Sequence, residues 1–396
     1  MIFQILDNKT ECFGVYVDGE LVYENQNKNL DKTWAPSIHL KDKNVEYASL
    51  YCKGEGLSEV CPEDLQSEWI TTSEKMKSFL VSFKQAKINL DDVCFYKLVP
   101  EQFLLEYCDL KTKIIDHVFK NKEKPKNYNF LKEIQSILLK ISNQELNIDI
   151  KNMKPHLSTL RGRNFMRRIK TTKPYCDYNM FGTITGRLST YPNSFPILTM
   201  DKNYRSILRP NNDWFLELDF NAAELRVLLA LLGHEQPSTD LHEWNRKNIY
   251  RGIGTREEAK KRIFAWLYNS ESRDSLSNRA YDRESIINKY WTGDMIETIF
   301  NRTIKSVDKH HALNYIIQST TADLVLQQMI KIHDFLQNKK SFIAFCIHDS
   351  VVIDLADEDK KYVPELIDIF SKTGLGNFKA NTGAGINFGN IRKLML

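Results

Sequence analysis

The chain has 396 residues, of which 42% are hydrophobic and 27% are charged, and its formal net charge is +4. These values are typical of a folded globular protein with two or three domains. No apolar run approaches the roughly 20 residues that span a bilayer, and the apolar start, MIFQILDNKTE, is too short for a secretory signal. We therefore expect a cytoplasmic protein without a membrane partner.

The charge is distributed unevenly along the chain. Residues 1–110 carry a net charge of −8, whereas residues 111–173 carry +11. Such a basic block is either a solvated helical face or a surface that contacts the phosphates of a nucleic acid.

The cysteines are odd in number, scattered, and never spaced as a metal-binding pair. We expect reduced, mostly buried thiols at all seven positions, which are Cys12, Cys52, Cys61, Cys94, Cys108, Cys176 and Cys346.

Residues 1–110 are predicted to form a small α+β module. Its predicted helices are TSEKMKSFLVSFKQ and PEQFLLEYCDL, and its predicted strands are MIFQIL, CFGVYV, ELVYE, VEYASLYC and DDVCFYKL. Between two of these strands, Asp18-Gly19 has the composition of a two-residue hairpin turn.

Residues 111–173 are predicted to be helical, with a break at KNKEKPKNYN. A second basic cluster, RGRNFMRR, contains Arg161, Arg163, Arg167 and Arg168. After Tyr175 the sequence alternates short strand-like segments with helical ones.

The stretch WFLELDFNAAELRVLLALLG, residues 214–233, combines a strand-like run with a helical pattern that ends on glycine. Asp219 lies at the junction. A carboxylate on such a rigid junction suits a hard, oxygen-seeking cation. The alternative is that Asp219 merely starts the helix.

A second stretch, TREEAKKRIFAWLY, spaces two cations and two aromatic rings four residues apart: Arg256, Lys260, Phe264 and Tyr268. At this spacing all four lie along one side of a helix. They suit a ligand with a phosphate tail and a flat base, although an ordinary amphipathic helix would show a similar pattern.

A third stretch, FIAFCIHDSVVIDL, is predicted to be a hairpin with Asp349 at its tip. Together, Asp219 and Asp349 would supply two carboxylates on adjacent strand ends. This is a minimal site for two Mg²⁺ ions.

The sequences of these three segments, and their order along the chain, resemble the motifs of family A DNA polymerases. DFNAAELR resembles motif A, Arg-x3-Lys-x3-Phe-x3-Tyr the fingers-helix motif, and IHDS the His-Asp motif C. TITGRLST at 183–190 resembles the segment that family members place against primer-template DNA, and ALNYIIQSTTADL at 312–324 resembles their Gln-bearing palm helix. The resemblance covers roughly residues 155–396.

This resemblance implies an α/β (α+β) right-hand polymerase fold with palm, fingers and thumb. The expected parts are an N-terminal α+β module at 1–110, a basic helical thumb at 111–172, a palm at 173–240 and 302–396, and shortened fingers at 241–301.

The resemblance also assigns roles to single residues. Asp219 and Asp349 would hold two Mg²⁺ ions. The incoming nucleotide would contact Arg256, Lys260, His242, Phe264 and Tyr268, with Lys260 also catalytic, and Glu224 would crowd the sugar 2′ position. The DNA would contact Arg187, Gln318, His348 and the arginines of RGRNFMRR.

Two departures from the family pattern concern fidelity and template handling. Ser350 stands where the family usually has Glu, and Asn269 stands where it usually has Gly. We also find no full set of exonuclease acids in residues 1–110, and therefore expect no proofreading.

The expected activity is template-directed addition of dNTPs to a primer by a monomeric enzyme, with a possible processivity factor. The Lys/Asn-rich, shortened chain suggests a phage enzyme acting in the host cytoplasm. The alternatives are a single-subunit RNA polymerase and a catalytically inactive DNA-binding replication factor.

Overall fold

The computed structural model describes residues 1–7, 14–23, 30–40, 44–90 and 93–394. It divides into two compact units, Met1–Lys140 and Ile141–Leu396. None of the helices in these ranges combines the length and apolar character needed to cross a bilayer. The four-part division expected from the sequence remains a prediction.

The described residues of the N-terminal unit form two small sheets. One is antiparallel, with β1 (Phe3–Ile5), β2 (Val15–Val17) and β3 (Glu20–Val22), and the other is a parallel pair of β4 (Lys32–Thr33) and β5 (Glu46–Tyr47). Asp18 and Gly19, with φ of 48° and 89°, join β2 to β3. Both residues have the positive φ that a tight hairpin turn needs, so the predicted turn is confirmed.

The helices of this unit are α1 (Ala48–Tyr51), α2 (Leu57–Val60), α3 (Glu63–Gln85), α4 (Glu101–Asn121) and α5 (Tyr128–Ser142). Its apolar core joins Tyr16 on β2 with Met76 on α3 and with Phe103, Leu104 and Cys108 on α4. The break predicted around KNKEKPKNYN is confirmed, since α4 ends at Asn121 and α5 begins at Tyr128.

Two strand predictions were wrong in this unit. In VEYASLYC only Glu46–Tyr47 is a strand, and α1 follows it at once. In DDVCFYKL the segment Phe95–Lys97 is a 3-10 turn, while residues 91–92 lie outside the described ranges. Short apolar runs do not distinguish buried strands from buried helical turns.

The prediction of seven reduced cysteines was wrong for Cys94, which is disulfide-bonded. Cys61 is free but partly exposed, and Cys12 lies outside the described ranges. The remaining free thiols are buried as expected, at Cys52, Cys108, Cys176 and Cys346.

The C-terminal unit is built around a five-stranded antiparallel sheet in the order β13-β14-β10-β17-β18. The strands of this unit are β6 (Asn147–Ile148), β7 (Tyr178–Asn179), β8 (Ser189–Thr190), β9 (Leu208–Arg209), β10 (Trp214–Phe220), β11 (Met295–Glu297), β12 (Thr303–Lys305), β13 (Phe342–Ile347), β14 (Ser350–Leu355), β15 (Lys372–Thr373), β16 (Gly376–Asn377), β17 (Ala380–Gly385) and β18 (Arg392–Lys393).

The described residues of this unit also form eight helices. They are α6 (Leu160–Thr171), α7 (Ala223–Leu231), α8 (Leu241–Asn248), α9 (Arg256–Tyr268), α10 (Ser275–Ala280), α11 (Arg283–Tyr290), α12 (Lys309–Phe335) and α13 (Val363–Ser371). The long α12 packs against α7, β13 and β14, and α13 packs against β10 and β17.

The central strand β10 alternates apolar and acidic residues along its second half. Leu216, Leu218 and Phe220 are at most 2% exposed, and the Phe220 ring stacks on Phe370 of α13 at 4.1 Å. Successive strand residues point to opposite faces. Burial of the apolar face against α13 therefore turns Glu217 and Asp219 to the other face of the sheet.

Candidate active site

Asp219 and Asp349 approach each other because of the strand register. In the pairing of β10 with β14, Asp219 lies opposite Ser350, the residue after Asp349. Asp349 belongs to the two-residue turn His348-Asp349 that joins β13 to β14, with a φ of 53° at His348. The predicted hairpin and the placement of both aspartates at adjacent strand ends are confirmed.

Burial and mutual repulsion disfavour the charged form of Asp219. Burial raises the pKa of Asp219 to about 7, and the charge of Asp349 adds to the rise. Burial also raises the pKa of Asp349. Asn381, opposite Asp219 on β17, donates a hydrogen bond to Asp219 Oδ2 at 3.3 Å. A bound cation would relieve this unfavourable arrangement.

The acidic residue Glu217 was not predicted as part of the site. It lies two residues before Asp219 on the same face of β10, and burial raises its pKa, with a contribution from Asp349. The signal was available in the sequence, since WFLELDF places two carboxylates at strand spacing.

The two aspartates fit Mg²⁺ by their chemistry. Within the described ranges, no group of three or more His, Cys, Asp or Glu side chains could hold a metal ion. Mg²⁺, however, is commonly bound through one or two carboxylates, with substrate phosphates and water completing the shell. Two desolvated, mutually repelling carboxylates are the protein part of such a site.

Ser350 does not replace the carboxylate that the family usually has at its position. Its side chain is buried, and its hydroxyl donates to the Ile347 carbonyl at 3.1 Å. The hydroxyl therefore closes the hairpin turn internally.

Helix α9 carries the predicted stripe of two cations and two rings. A capping box between Thr255 and Glu258 fixes its first turn. Ala259, Ile263 and Trp266 are buried on its apolar side. The rings of Phe264 and Tyr268 stack with their centroids 5.8 Å apart. Arg256 and Lys260 share the same four-residue spacing, so all four side chains lie along one side of the helix.

The two cations of α9 differ in their partners. Arg256 contacts Asp240 and Glu257. Lys260, by contrast, makes no ion pair or hydrogen bond within the described part of the chain, and its side chain is half-buried. Its positive charge is therefore available to a ligand.

A cavity of about 210 Å³ lies between α7, α9, α12 and the β13–β14 turn. Six of the predicted site residues line it, namely Arg187, Glu224, Phe264, Tyr268, His348 and Asp349. Its remaining wall consists of Ala222, Ala223, Thr321, Ala322 and Val325. Asp219, Arg256, Lys260, His242 and Gln318 do not line this cavity.

Glu224 is fixed from two sides. Arg187 contacts one of its carboxylate oxygens and the Tyr268 hydroxyl donates to the other. Glu224 is 8% exposed. Burial raises the pKa of Tyr268, and the neighbouring Glu224 contributes. The three side chains thus form one hydrogen-bonded group from the 183–190 segment, α7 and α9.

His242 lies on α8, and its ring is 5.6 Å from that of Phe264. It is buried, and its Nδ1 has no hydrogen-bond partner within the described part of the chain. Burial lowers the pKa of His242 to about 4, and the charges of Arg256 and Lys260 contribute. The imidazole is therefore neutral at pH 7, with an unpaired nitrogen beside α9.

The segment that carries Arg187 rests on a buried ion pair. Arg302 donates from Nε to Asp323 on α12 at 2.9 Å, and the Asp323 side chain is fully buried. Gly186 has a φ of +77°, and a Cβ there would lie 2.3 Å from the Arg302 guanidinium carbon. Only glycine allows this contact. Sequence reasoning missed Arg302 and Asp323.

The other predicted DNA contacts are more dispersed. Gln318 lies half-buried on α12. On α6, Arg161, Arg163, Arg167 and Arg168 are exposed and make no ion pair within the described ranges. This surface is therefore an unneutralised basic patch.

Asn269 causes no strain where the family usually has Gly. It follows α9 with a φ of −108°, a conformation open to any residue, and its side chain accepts from the Glu271 amide at 3.0 Å. The end of α9 therefore has no need of glycine in this chain.

Comparison with known proteins gives consistent matches. Residues 268–374 match the model of DNA polymerase family A. The chain is 24% identical over 277 residues to DNA polymerase I of Borreliella burgdorferi, an alignment that covers 56% of this chain and 30% of the relative. It is 27% identical over 240 residues to DNA polymerase I of Caldicellulosiruptor bescii, covering 47% of this chain and 28% of that protein. The chain thus spans at most 30% of the length of these relatives.

A solved structure shares the fold. The POL domain of Pol1 from M. smegmatis, in complex with DNA primer-template and dNTP, aligns with a TM-score of 0.58 and 11% identity over 76% of this chain and 79% of that chain. The predicted α/β fold class is confirmed by this likeness. The chain is thus similar to DNA polymerase family A in sequence over residues 268–374, and similar in fold to the M. smegmatis domain.

Proposed function

We propose that the chain is a DNA-directed DNA polymerase that adds dNTPs to a primer 3′-hydroxyl. The observation that carries this proposal is the cavity beside Asp219, in which Asp349, Glu224 and Tyr268 lie together. The names of the relatives support it, as does the primer-template DNA and dNTP bound to the M. smegmatis domain.

In the proposed reaction, the primer hydroxyl attacks the α-phosphorus in line, loses its proton, and displaces pyrophosphate. Two Mg²⁺ ions held by Asp219 and Asp349 would activate the attacking oxygen and stabilise the leaving one. Lys260 supplies positive charge where the pyrophosphate develops negative charge. The role is supported by the absence of an ion pair or hydrogen bond to Lys260 among the described residues.

The nucleotide itself would be oriented by residues of α7, α8 and α9. Arg256 and neutral His242 bind phosphate oxygens, and the unpaired Nδ1 of His242 supports its part. Phe264 and Tyr268 stack on the bases. Glu224, held against Tyr268, occupies the space that a ribonucleotide 2′-hydroxyl would need.

Primer-template DNA would lie across the same unit. Arg187, Gln318 and His348 contact it near the primer terminus, and Arg187 and His348 line the cavity itself. The basic patch on α6 contacts phosphates further along. Counterion release from such a patch gives sequence-independent, salt-sensitive affinity.

The proposal also covers the oligomeric state, the absence of proofreading and the origin of the enzyme. The enzyme acts as a monomer and lacks proofreading. Asp18 and Glu20 have the Asp-x-Glu pattern of an exonuclease motif, but Asp18 lies exposed in a hairpin turn, which supports the absence of proofreading. The proposal also includes a phage origin, which the Lys/Asn-rich composition supports, and a processivity factor.

Primer extension on a short DNA hairpin, with dNTPs or rNTPs and Mg²⁺, tests this function. Extension with dNTPs that is lost in Asp349→Asn supports it. Extension chiefly with rNTPs would indicate an RNA polymerase instead. Hairpin binding without any extension would indicate an inactive replication factor.

A further inference from the structure

Arg256, at the start of α9, is already paired within the protein. Its Nε and a terminal nitrogen contact the two carboxylate oxygens of Asp240, at 3.0 and 2.8 Å. The Arg256 and Asp240 side chains are 41% and 29% exposed. The cation proposed to bind nucleotide phosphate is thus held by a carboxylate of the chain itself.

Asp240 is held in place without Arg256. Its Oδ1 caps α8 by accepting from the Glu243 amide at 2.9 Å, and its Oδ2 accepts from Asn221 Nδ2 at 2.8 Å. Departure of Arg256 would therefore leave the carboxylate solvated and hydrogen-bonded. A carboxylate that keeps these partners can release the guanidinium without a large penalty.

Asn221 fixes this carboxylate relative to the metal-binding strand. It follows β10 directly, two residues after Asp219. Its Oδ1 accepts from the Leu241 amide at 2.9 Å and from Arg226, which is fully buried. Asp240 is therefore a fixed partner, whereas Arg256 is a long side chain that can reorient.

We propose that Asp240 competes with the nucleotide triphosphate for Arg256 and thereby weakens nucleotide binding. The proposal rests on the proposed function, in which Arg256 binds phosphate. Lys260, one turn along α9 and without a protein partner among the described residues, would make the first contact with the phosphates. The triphosphate would then displace Asp240 from Arg256.

The size of the effect follows from the exposure of the pair. A partly exposed ion pair shifts an equilibrium by at most about fivefold. Bidentate, charge-assisted bonds between Arg and phosphate are stronger. Asp240 would therefore adjust nucleotide affinity without preventing binding.

Calorimetric titration with inorganic tripolyphosphate in Mg²⁺ tests the proposal without primer or template. Asp240→Asn keeps the side-chain shape and an oxygen for the Glu243 amide. We expect it to tighten tripolyphosphate binding by about twofold to fivefold. Asp240→Ser, which retains helix-capping ability, should act in the same direction and serves if the first variant folds poorly.

Two controls separate competition from a general change of charge. Glu257→Gln removes the other carboxylate on Arg256, which is 66% exposed, and should change the Kd less than Asp240→Asn does. In an Arg256→Met background, Asp240→Asn should have no further effect, because no guanidinium remains to be released.

Three results would overturn the proposal. The first is binding by Asp240→Asn that is no tighter than binding by Glu257→Gln. The second is equal tightening in the Arg256→Met background. The third is wild-type binding that Arg256→Met does not weaken, since Arg256 would then lie outside the phosphate site. Loss of the proposed function would appear separately, as absent primer extension.

Discussion

Tyr268, at the last residue of α9, donates a hydrogen bond to Glu224, in the first turn of α7. Arg187 contacts the other oxygen of the same carboxylate. Glu224 is thus held rigidly at the wall of the cavity, and a rigid group rejects an additional substituent more strongly than a mobile one does. This arrangement supports a role in sugar selection.

Shortening Glu224 to Ala should raise incorporation of rNTPs relative to dNTPs by at least about tenfold, which is about 1.4 kcal/mol in discrimination. Glu224→Gln should change discrimination less, because it preserves the bulk. The ratio of kcat/KM for the two nucleotides measures both effects. Unchanged discrimination in Glu224→Ala would remove this residue from the sugar site.

Replacing Asp219 or Asp349 with Ala should reduce primer extension by several orders of magnitude and leave DNA binding largely intact. The reason is that the two carboxylates hold the proposed ions, while phosphate contacts are made elsewhere. Single-turnover extension and a gel-shift titration measure the two properties. Near-normal extension by either variant would contradict the metal assignment.

Glu217→Gln offers a matched comparison on the same strand face. It neutralises a carboxylate near both aspartates but lies two residues before Asp219. Extension that falls far less than in the aspartate variants would locate metal binding at Asp219 and Asp349.

The basic patch on α6 should make primer-template affinity fall steeply with salt. Reversing the charge of Arg161, Arg163, Arg167 and Arg168 should lower affinity and flatten the plot of log K against log salt, because fewer counterions are released on binding. Reversing four exposed lysines outside the basic segment 111–173, namely Lys75, Lys77, Lys84 and Lys87, controls for net charge. An unchanged slope in the α6 variant would identify the patch as a solvated face.

Much of the site could be predicted because its parts are local in sequence. The β10–α7 junction, the β13–β14 hairpin and the stripe on α9 each follow from periodicity within a short stretch. The carboxylates meet because sheet register then brings Asp219 opposite Ser350. Register itself depends on which apolar face is buried, here that of Leu218 and Phe220.

The missed features depend on contacts between distant segments. Arg302 pairs with Asp323 and lies against Gly186, and no spacing rule connects these three residues. The pairing of Asp240 with Arg256 likewise depends on how α8 and α9 are packed. In the N-terminal unit, Ala48–Tyr51 forms a helix where an apolar run suggested a strand, because packing decides such short segments.

The N-terminal unit should not degrade a mismatched primer in Mg²⁺. Asp18 occupies a turn position with positive φ, so its role is explained by the hairpin. Incubation of a labelled, mismatched primer without dNTPs measures this. Steady 3′→5′ shortening that disappears in Asp18→Ala would show that the carboxylate is catalytic.

The buried imidazole of His242 should make the protein sensitive to mild acid. Its folded-state pKa of about 4 lies below the ordinary value of 6.5, with burial as the largest cause. The unfolded chain therefore takes up this proton at a higher pH than the folded chain does. The contribution to stability is complete above about pH 6.5 and is lost progressively as the pH falls toward 4.

Each pH unit within that window changes the free energy of unfolding by at most about 1.4 kcal/mol for one proton. Between pH 7 and pH 5, wild-type Tm should therefore fall by a few degrees more than that of His242→Gln, since about 1 kcal/mol corresponds to roughly 2–4 °C for a unit of this size. Thermal unfolding followed by circular dichroism at the two pH values, without nucleotide, measures the difference.

His234→Gln, at an exposed histidine, controls for loss of an imidazole elsewhere in the same unit. Parallel falls in Tm for wild type and His242→Gln would mean that the imidazole takes up its proton equally easily in the folded and unfolded chains, and would show that burial does not lower its pKa.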